Sequence, residues 1–245
     1  MTLSFQTKRV VFMSSQGSDL DDRLELPHTS PIAYALFERC FTYSEDYTAA
    51  PRVSCILAAR CRYVSFDFTS LGNSEGDFAD TNFLSNVPDV IYAADCLCEH
   101  HGAPKMLIGH SLGGIVALAA AQQVPECLVV AMIAAPSEPA HVIQDCVEQA
   151  TEIEARGDTE MEIVGWPSKM RNQFLHDLDQ YDKNSIITNL NRALLVSRSP
   201  ADAIVGIAHS ERIFQLARQP KSFLLLDKTD HRLSRQKDAE YVVGV

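Results

Sequence analysis

Short β-rich apolar runs alternate with longer amphipathic segments along most of this sequence, and that rhythm is the pattern of a parallel sheet covered by helices. Lys8–Met13 and Leu20–Leu26 flank Ser14-Ser15-Gln16-Gly17-Ser18, which reads as a loop joining two antiparallel strands. Further strands are expected at Ile32–Phe37, Tyr63–Phe68, Lys105–Gly109, Leu128–Ala134, Ala193–Ser197 and Ser222–Asp227. Leu128–Ala134 is apolar throughout, as a strand buried on both faces must be. Helices are expected at Ala49–Cys61, Phe83–His100, Gly113–Gln123, Ser210–Arg218 and Asp238–Val243. In the second of these, Val87, Val90, Ile91, Ala94, Leu97 and Cys98 recur at spacings of three and four.

After Pro136 the rhythm changes. Residues from about Glu138 to Asn191 read as polar, acidic and helical, and they include the one tryptophan, Trp166, between Gly165 and Pro167. An insertion of about fifty residues with structure of its own is commonly a lid over a site. No repeat, low-complexity tract or linker divides the chain, so one α/β domain is expected over residues 1–245, with the helical lid insertion at about 138–191.

Composition removes several function classes. Lys and Arg number 21 against 32 Asp and Glu, a net charge of −11. Nucleic acids and anionic membrane surfaces both call for a basic footprint, so neither is an expected partner. Hydrophobic residues at 46% and charged residues at 22% are ordinary for a soluble globular protein and exclude collagen, coiled coil and disorder. The seven cysteines are odd in number and irregular in spacing, which points to a reducing compartment and away from a disulfide framework. The N-terminus lacks the apolar core of a signal peptide, and no stretch approaches the roughly 18 apolar residues of a membrane span. A cytoplasmic location is expected.

The chemistry centres on Gly109-His110-Ser111-Leu112-Gly113, a Gly-x-Ser-x-Gly string between an apolar strand and an Ala-rich helix. A nucleophile on a tight strand-to-helix turn needs small neighbours, because the backbone is strained and closely packed there. Such a turn lifts Ser111 above the sheet end and puts the Leu112 N–H at a helix N-terminus, where it can bind an oxyanion. Serine needs a base, and the base an acid behind it. Of the eight histidines, His231 alone follows the last expected strand, whose C-terminal edge faces the elbow. Asp202 is the carboxylate after strand Ala193–Ser197 and gives the order Ser, Asp, His. Glu138, after the preceding strand, is the alternative acid, and Asp230 lies too near His231 in sequence to approach its Nδ1 well. A second oxyanion N–H should come from the loop after Ile32–Phe37, with Phe41 the best candidate.

Each of these residues has a plainer role available: an incidental serine in a Gly-rich turn, a solvated loop histidine, an aspartate cap, a Phe41 packed under the lid. Cys96-x-Cys98 with His100 and His101 has the look of a metal cluster, but Cys98 fits the apolar helix face and reads as a buried thiol. Asp177-x-Asp179 with Asp182 lacks the Gly and closing Glu of a calcium loop. Met161, Ile163, Trp166, Met170 and Phe174 could line an acyl pocket or form a small core of the insertion's own.

Taken together, these residues resemble the α/β-hydrolase fold, and most nearly the hydrolase domain that many bacterial proteins carry in front of an OsmC-like domain. The likeness runs through Arg23-Leu24-Glu25-Leu26-Pro27, Ala33–Phe37, Cys40-Phe41-Thr42, Phe66-Asp67-Phe68-Thr69 and Ser74–Phe78. It continues through Gly109–Gly114, Ala135-Pro136-Ser137, Gln173-Phe174-Leu175, Ser199-Pro200, Asp202, Ile204-Val205-Gly206 and Asp230-His231. The resemblance implies an eight-stranded, mostly parallel sheet, a Ser111–Asp202–His231 triad, oxyanion donors at Phe41 and Leu112, and esterase activity. Arg39 departs from it, standing where such hydrolases usually carry a histidine. The chain stops at Val245, where an OsmC-like partner would begin, so a free-standing relative or a fragment is expected.

The expected activity is a serine carboxylesterase on small esters, with no cofactor and no metal. Thioester, lactone and peptide substrates are alternatives on the same triad, and a non-catalytic scaffold is the rival outside enzymes. Self-association is left open.

Overall fold

The structure, a computed structural model, describes residues 5–14, 17, 19–38, 49–61, 63–68, 83–138, 158–163, 166–171 and 183–245. Two long N-terminal strands open the chain, β1 (Phe5–Met13) and β2 (Asp19–Pro27), paired antiparallel from Phe5↔Pro27 to Met13↔Asp19. β3 (Ala33–Glu38), helix α1 (Ala49–Cys61), β4 (Tyr63–Phe68), α2 (Phe83–His100), β5 (Pro104–His110), α3 (Leu112–Ala120) and β6 (Val129–Ile133) then alternate as the periodicity predicts. Beyond the insertion come α4 (Lys183–Thr188), β9 (Ala193–Arg198), α5 (Ile207–Leu216), β10 (Lys221–Leu225) and α6 (Gln236–Val243), with β7 (Asp158–Ile163) and β8 (Trp166–Arg171) inside it.

Eight described strands form one sheet in the order β1-β2-β4-β3-β5-β6-β9-β10. β2 meets β4 antiparallel, and every pair from β4 onward is parallel. Parallel strands must be buried on both faces, and the sequence supplies apolar residues of both orientations. On β5, Leu107 faces one core cluster with α2, α3 and α5, while its neighbour Ile108 faces the other with α1 and α6. The parallel strands all carry their C-terminal ends to one edge, and α/β sheets place ligands beyond that edge.

The insertion departs from the helical expectation. Two of its segments pair as an antiparallel ribbon, β7 with β8, in which Ile163 opposes Trp166. Asp158-Thr-Glu-Met-Glu-Ile163 alternates polar with less polar residues at period two, which suits a pleat and not a helix face. The side chains of Met161, Ile163, Trp166 and Met170, and all of Phe174, lie outside the described residues, so their expected part in an acyl pocket does too.

The α2 seam also needs one correction. Val87, Val90, Ala94 and Leu97 are buried, but Cys98 is exposed and its neighbour Cys96 is the one packed against the core. The steps 87-90-94-97 already define the stripe, and Cys98 falls past its edge.

Candidate active site

Ser111 follows the last residue of β5 and takes the N-cap position of α3 in a backbone conformation of φ 56° and ψ −128°, inside the left-handed range that side chains rarely adopt. The turn is held by Ser111 N–H donating to the Ile133 carbonyl of β6 (2.9 Å) and Gly114 N–H donating to the Ser111 carbonyl (3.0 Å). Gly109 is required because a Cβ there would stand 2.2 Å from the Gly113 carbonyl oxygen and 2.5 Å from Gly114 Cα. At Gly114 a Cβ would meet the Ala135 methyl at 2.6 Å. Strand and helix thus touch backbone to backbone. Leu112 opens α3, and the first N–H groups of a helix have no acceptor within it.

Three loops at the C-terminal sheet edge bring Ser111, Asp202 and His231 together. His231 Nε2 lies 3.1 Å from Ser111 Oγ, and His231 Nδ1 lies 2.8 Å from Asp202 Oδ2. A carboxylate only accepts, so Nδ1 carries the proton and Nε2 presents its lone pair to the hydroxyl. All three side chains are buried. The other carboxylate oxygen, Oδ1, accepts the N–H groups of Ile204 (2.8 Å) and Val205 (3.1 Å). Burial alone would raise the Asp202 pKa. The hydrogen bond and charge of His231, the Arg198 guanidinium and the Ile204 N–H together outweigh it and hold the carboxyl below its ordinary value.

The alternative acids are engaged elsewhere. Glu138 Oε1 pairs with Arg212 Nη1 at 2.7 Å, and Asp230 Oδ1 accepts the Ser234 N–H at 2.8 Å. Phe41, the expected second oxyanion donor, lies outside the described residues, as does Arg39. Among the described residues no group of three or more His, Cys, Asp and Glu side chains could hold a metal ion. Cys96 Sγ and His100 Nδ1 are 4.0 Å apart, one helical turn from each other on α2.

Three supporting residues escaped the sequence reading. Ser199 Oγ accepts the N–H groups of Ala201 and Thr229, both at 3.1 Å, and so brackets the aspartate loop to the histidine loop. His110 donates from Nε2 to the His231 carbonyl oxygen at 2.7 Å, its ring centroid 5.0 Å from that of His231. Burial, helped by the His231 charge and opposed by that hydrogen bond, pushes the His110 pKa down to about 3. Arg198, wholly buried at the end of β9, sets Nη1 3.2 Å from Asp202 Oδ2. Burial lowers its pKa while Asp202 works against the fall. A lone charge closing the apolar run Ala193-Leu194-Leu195-Val196-Ser197 was the available signal.

The model of the alpha/beta hydrolase family matches residues 34–243, which span the elbow, the aspartate loop and the histidine loop. The chain belongs to the alpha/beta hydrolase family. Among solved structures this hydrolase is similar to the esterase domain of a Rhodothermus marinus protein, at 36% identity and a TM-score of 0.79, covering 97% of this chain and 95% of that one. Est1E from Butyrivibrio proteoclasticus, solved with ferulic acid bound, shares the fold at 13% identity and a TM-score of 0.79 over 96% of each chain. The mitochondrial palmitoyl-protein thioesterase ABHD10 of Rattus norvegicus is 26% identical over 197 residues, 74% of this chain. The hydrolase covers 62% of that relative's length.

Proposed function

We propose that this hydrolase is a serine carboxylesterase acting on small esters. The observation that carries the reading is the continuous hydrogen-bonded chain from Ser111 Oγ through His231 to Asp202. Ser111 Oγ attacks the acyl carbon as His231 Nε2 takes its proton, and Asp202 steadies the resulting imidazolium. The Leu112 N–H, with Phe41 as the second donor, receives the oxyanion. Collapse breaks the C–O bond, and the departing alkoxide takes the proton from His231. Water then gives its proton to His231 and attacks the acyl-enzyme, releasing the acid and returning Ser111 to its hydroxyl form. No cofactor enters this scheme.

The test is hydrolysis of p-nitrophenyl acetate, butyrate and octanoate by the wild type and Ser111→Ala. Turnover by the wild type is expected to fall at least about 10³-fold in the variant. A variant that keeps most of its turnover overturns the assignment. The order of the three chain lengths sizes the acyl site.

Thioester cleavage is the second reading, favoured by the likeness to a palmitoyl-protein thioesterase. Rates on matched oxygen and sulfur esters separate the two. A reducing compartment is the proposed location, supported by Cys55, Cys96, Cys98 and Cys127, which form no disulfide. Among the described residues no helix is long and apolar enough to cross a membrane.

A further inference from the structure

Asp202 Oδ2 serves two partners at once. His231 Nδ1 donates to it at 2.8 Å, and Arg198 Nη1 stands 3.2 Å away on the same oxygen. With Oδ1 already taken by the N–H groups of Ile204 and Val205, no lone pair of the carboxylate faces water. Arg198 is fully buried, yet among the described residues none of its guanidinium nitrogens makes an aligned hydrogen bond. A charge held dry costs stability, and among the described residues the carboxylate set against it is that of Asp202, the residue behind the base.

We propose that Arg198 is a positioning residue that acts through Asp202: by claiming part of the oxygen that supports His231, it sets how firmly His231 holds a proton. The inference rests on the reading of His231 as general base. An aspartate shared with a fixed cation stabilises an imidazolium less than an unshared one, so His231 releases its proton more readily to the leaving group. Among the described residues, the ring's other charged or titratable neighbours are neutral, solvated or paired with other groups. His110 packs against it from β5 and stays neutral, as its depressed pKa requires. Asp227, Lys228 and Asp230 on the histidine's own loop are exposed, and Arg232 beside it is half-buried with an interaction of its own. Arg52 from α1 binds the carbonyls of Leu233 and Ser234, and Arg235 is paired with Asp238 of α6.

The experiment compares wild type, Arg198→Met and Arg198→Lys by two readouts. One is the pH profile of kcat/KM on p-nitrophenyl butyrate, and the other is the NMR titration of the His231 imidazole. In Arg198→Met both the acid limb and the imidazole midpoint should move up by about one pH unit, a tenfold gain in proton affinity. Arg198→Lys should return both towards the wild type, because it restores the charge. A folded Arg198→Met whose imidazole midpoint does not move overturns the proposal and leaves Arg198 as packing. If that variant does not fold, the wild type decides: the Arg198 guanidinium nitrogen signals should shift with the same midpoint as the His231 ring. Guanidinium signals that stay flat through that transition also overturn it. Should no ester be turned over, the esterase reading fails, while the imidazole titration still tests Arg198.

Discussion

Ser111 holds a backbone conformation with φ of 56° that costs free energy, and its surroundings over-determine it. The hydrogen bond to β6 and the bare backbone of Gly109 leave the turn no relaxed alternative. Gly109→Ala is therefore expected to destabilise the fold by about 1–3 kcal/mol or more and to remove ester turnover, because its Cβ would collide with backbone and not with a side chain that can swing away. Thermal unfolding and a p-nitrophenyl butyrate assay check this, and an unchanged pair of values would contradict the packing argument. At this scale the sequence was legible where chemistry restricts residue type. Gly109, Ser111, Asp202 and His231, which the fold brings to one place, could be picked out as candidates because a nucleophile turn, an acid and a base admit few substitutes. Arg198, His110 and Ser199 could not, because their roles depend on which neighbour the fold delivers to them.

Elements were readable wherever both faces of a strand are buried or one face of a helix is. α2 begins and ends where its periodicity predicts, and β5, β6 and β9 differ from expectation by a residue or two at their ends. The β7–β8 ribbon was missed because its glutamates and methionine favour helices as isolated residues, while only their alternation speaks for a pleat. Loop-to-loop contacts leave no periodic trace at all. The Ser199 bracket is one, and its removal gives a sharp expectation. Ser199→Ala strands two N–H groups and should cost about 1–3 kcal/mol. Because those groups belong to the loops of Asp202 and His231, kcat should fall along with the unfolding temperature. A lower unfolding temperature with an intact kcat would show that the two loops keep their register without the hydroxyl.

For the whole molecule, buried titratable groups near the site set an acid limit. His110 has an ordinary pKa of 6.5 and holds at about 3 in the fold. Between those values the unfolded chain binds a proton that the folded chain refuses, so stability declines as pH falls, by up to about 1.4 kcal/mol per pH unit. Asp202 acts in the same direction: its depressed pKa stabilises the fold above the ordinary carboxylate value and ceases to as pH drops through the folded one. The urea midpoint should thus be lower at pH 4.5 than at pH 7. His110→Gln, which keeps a donor for the His231 carbonyl without titrating, should shrink that difference. An equal slope in the variant would place the acid sensitivity elsewhere.

Ser111 precedes His231 by 120 residues, and the last parallel strand must dock on β9 before the imidazole can reach the hydroxyl. A chain still on the ribosome carries an ordinary alcohol at position 111, no more reactive than any other serine. The same is true of a chain cleaved anywhere between elbow and histidine loop, once its parts separate. On the proposed esterase reading, unfinished or broken copies would not acylate themselves or attack esters indiscriminately, and the appearance of turnover would double as a signal that synthesis and folding are complete.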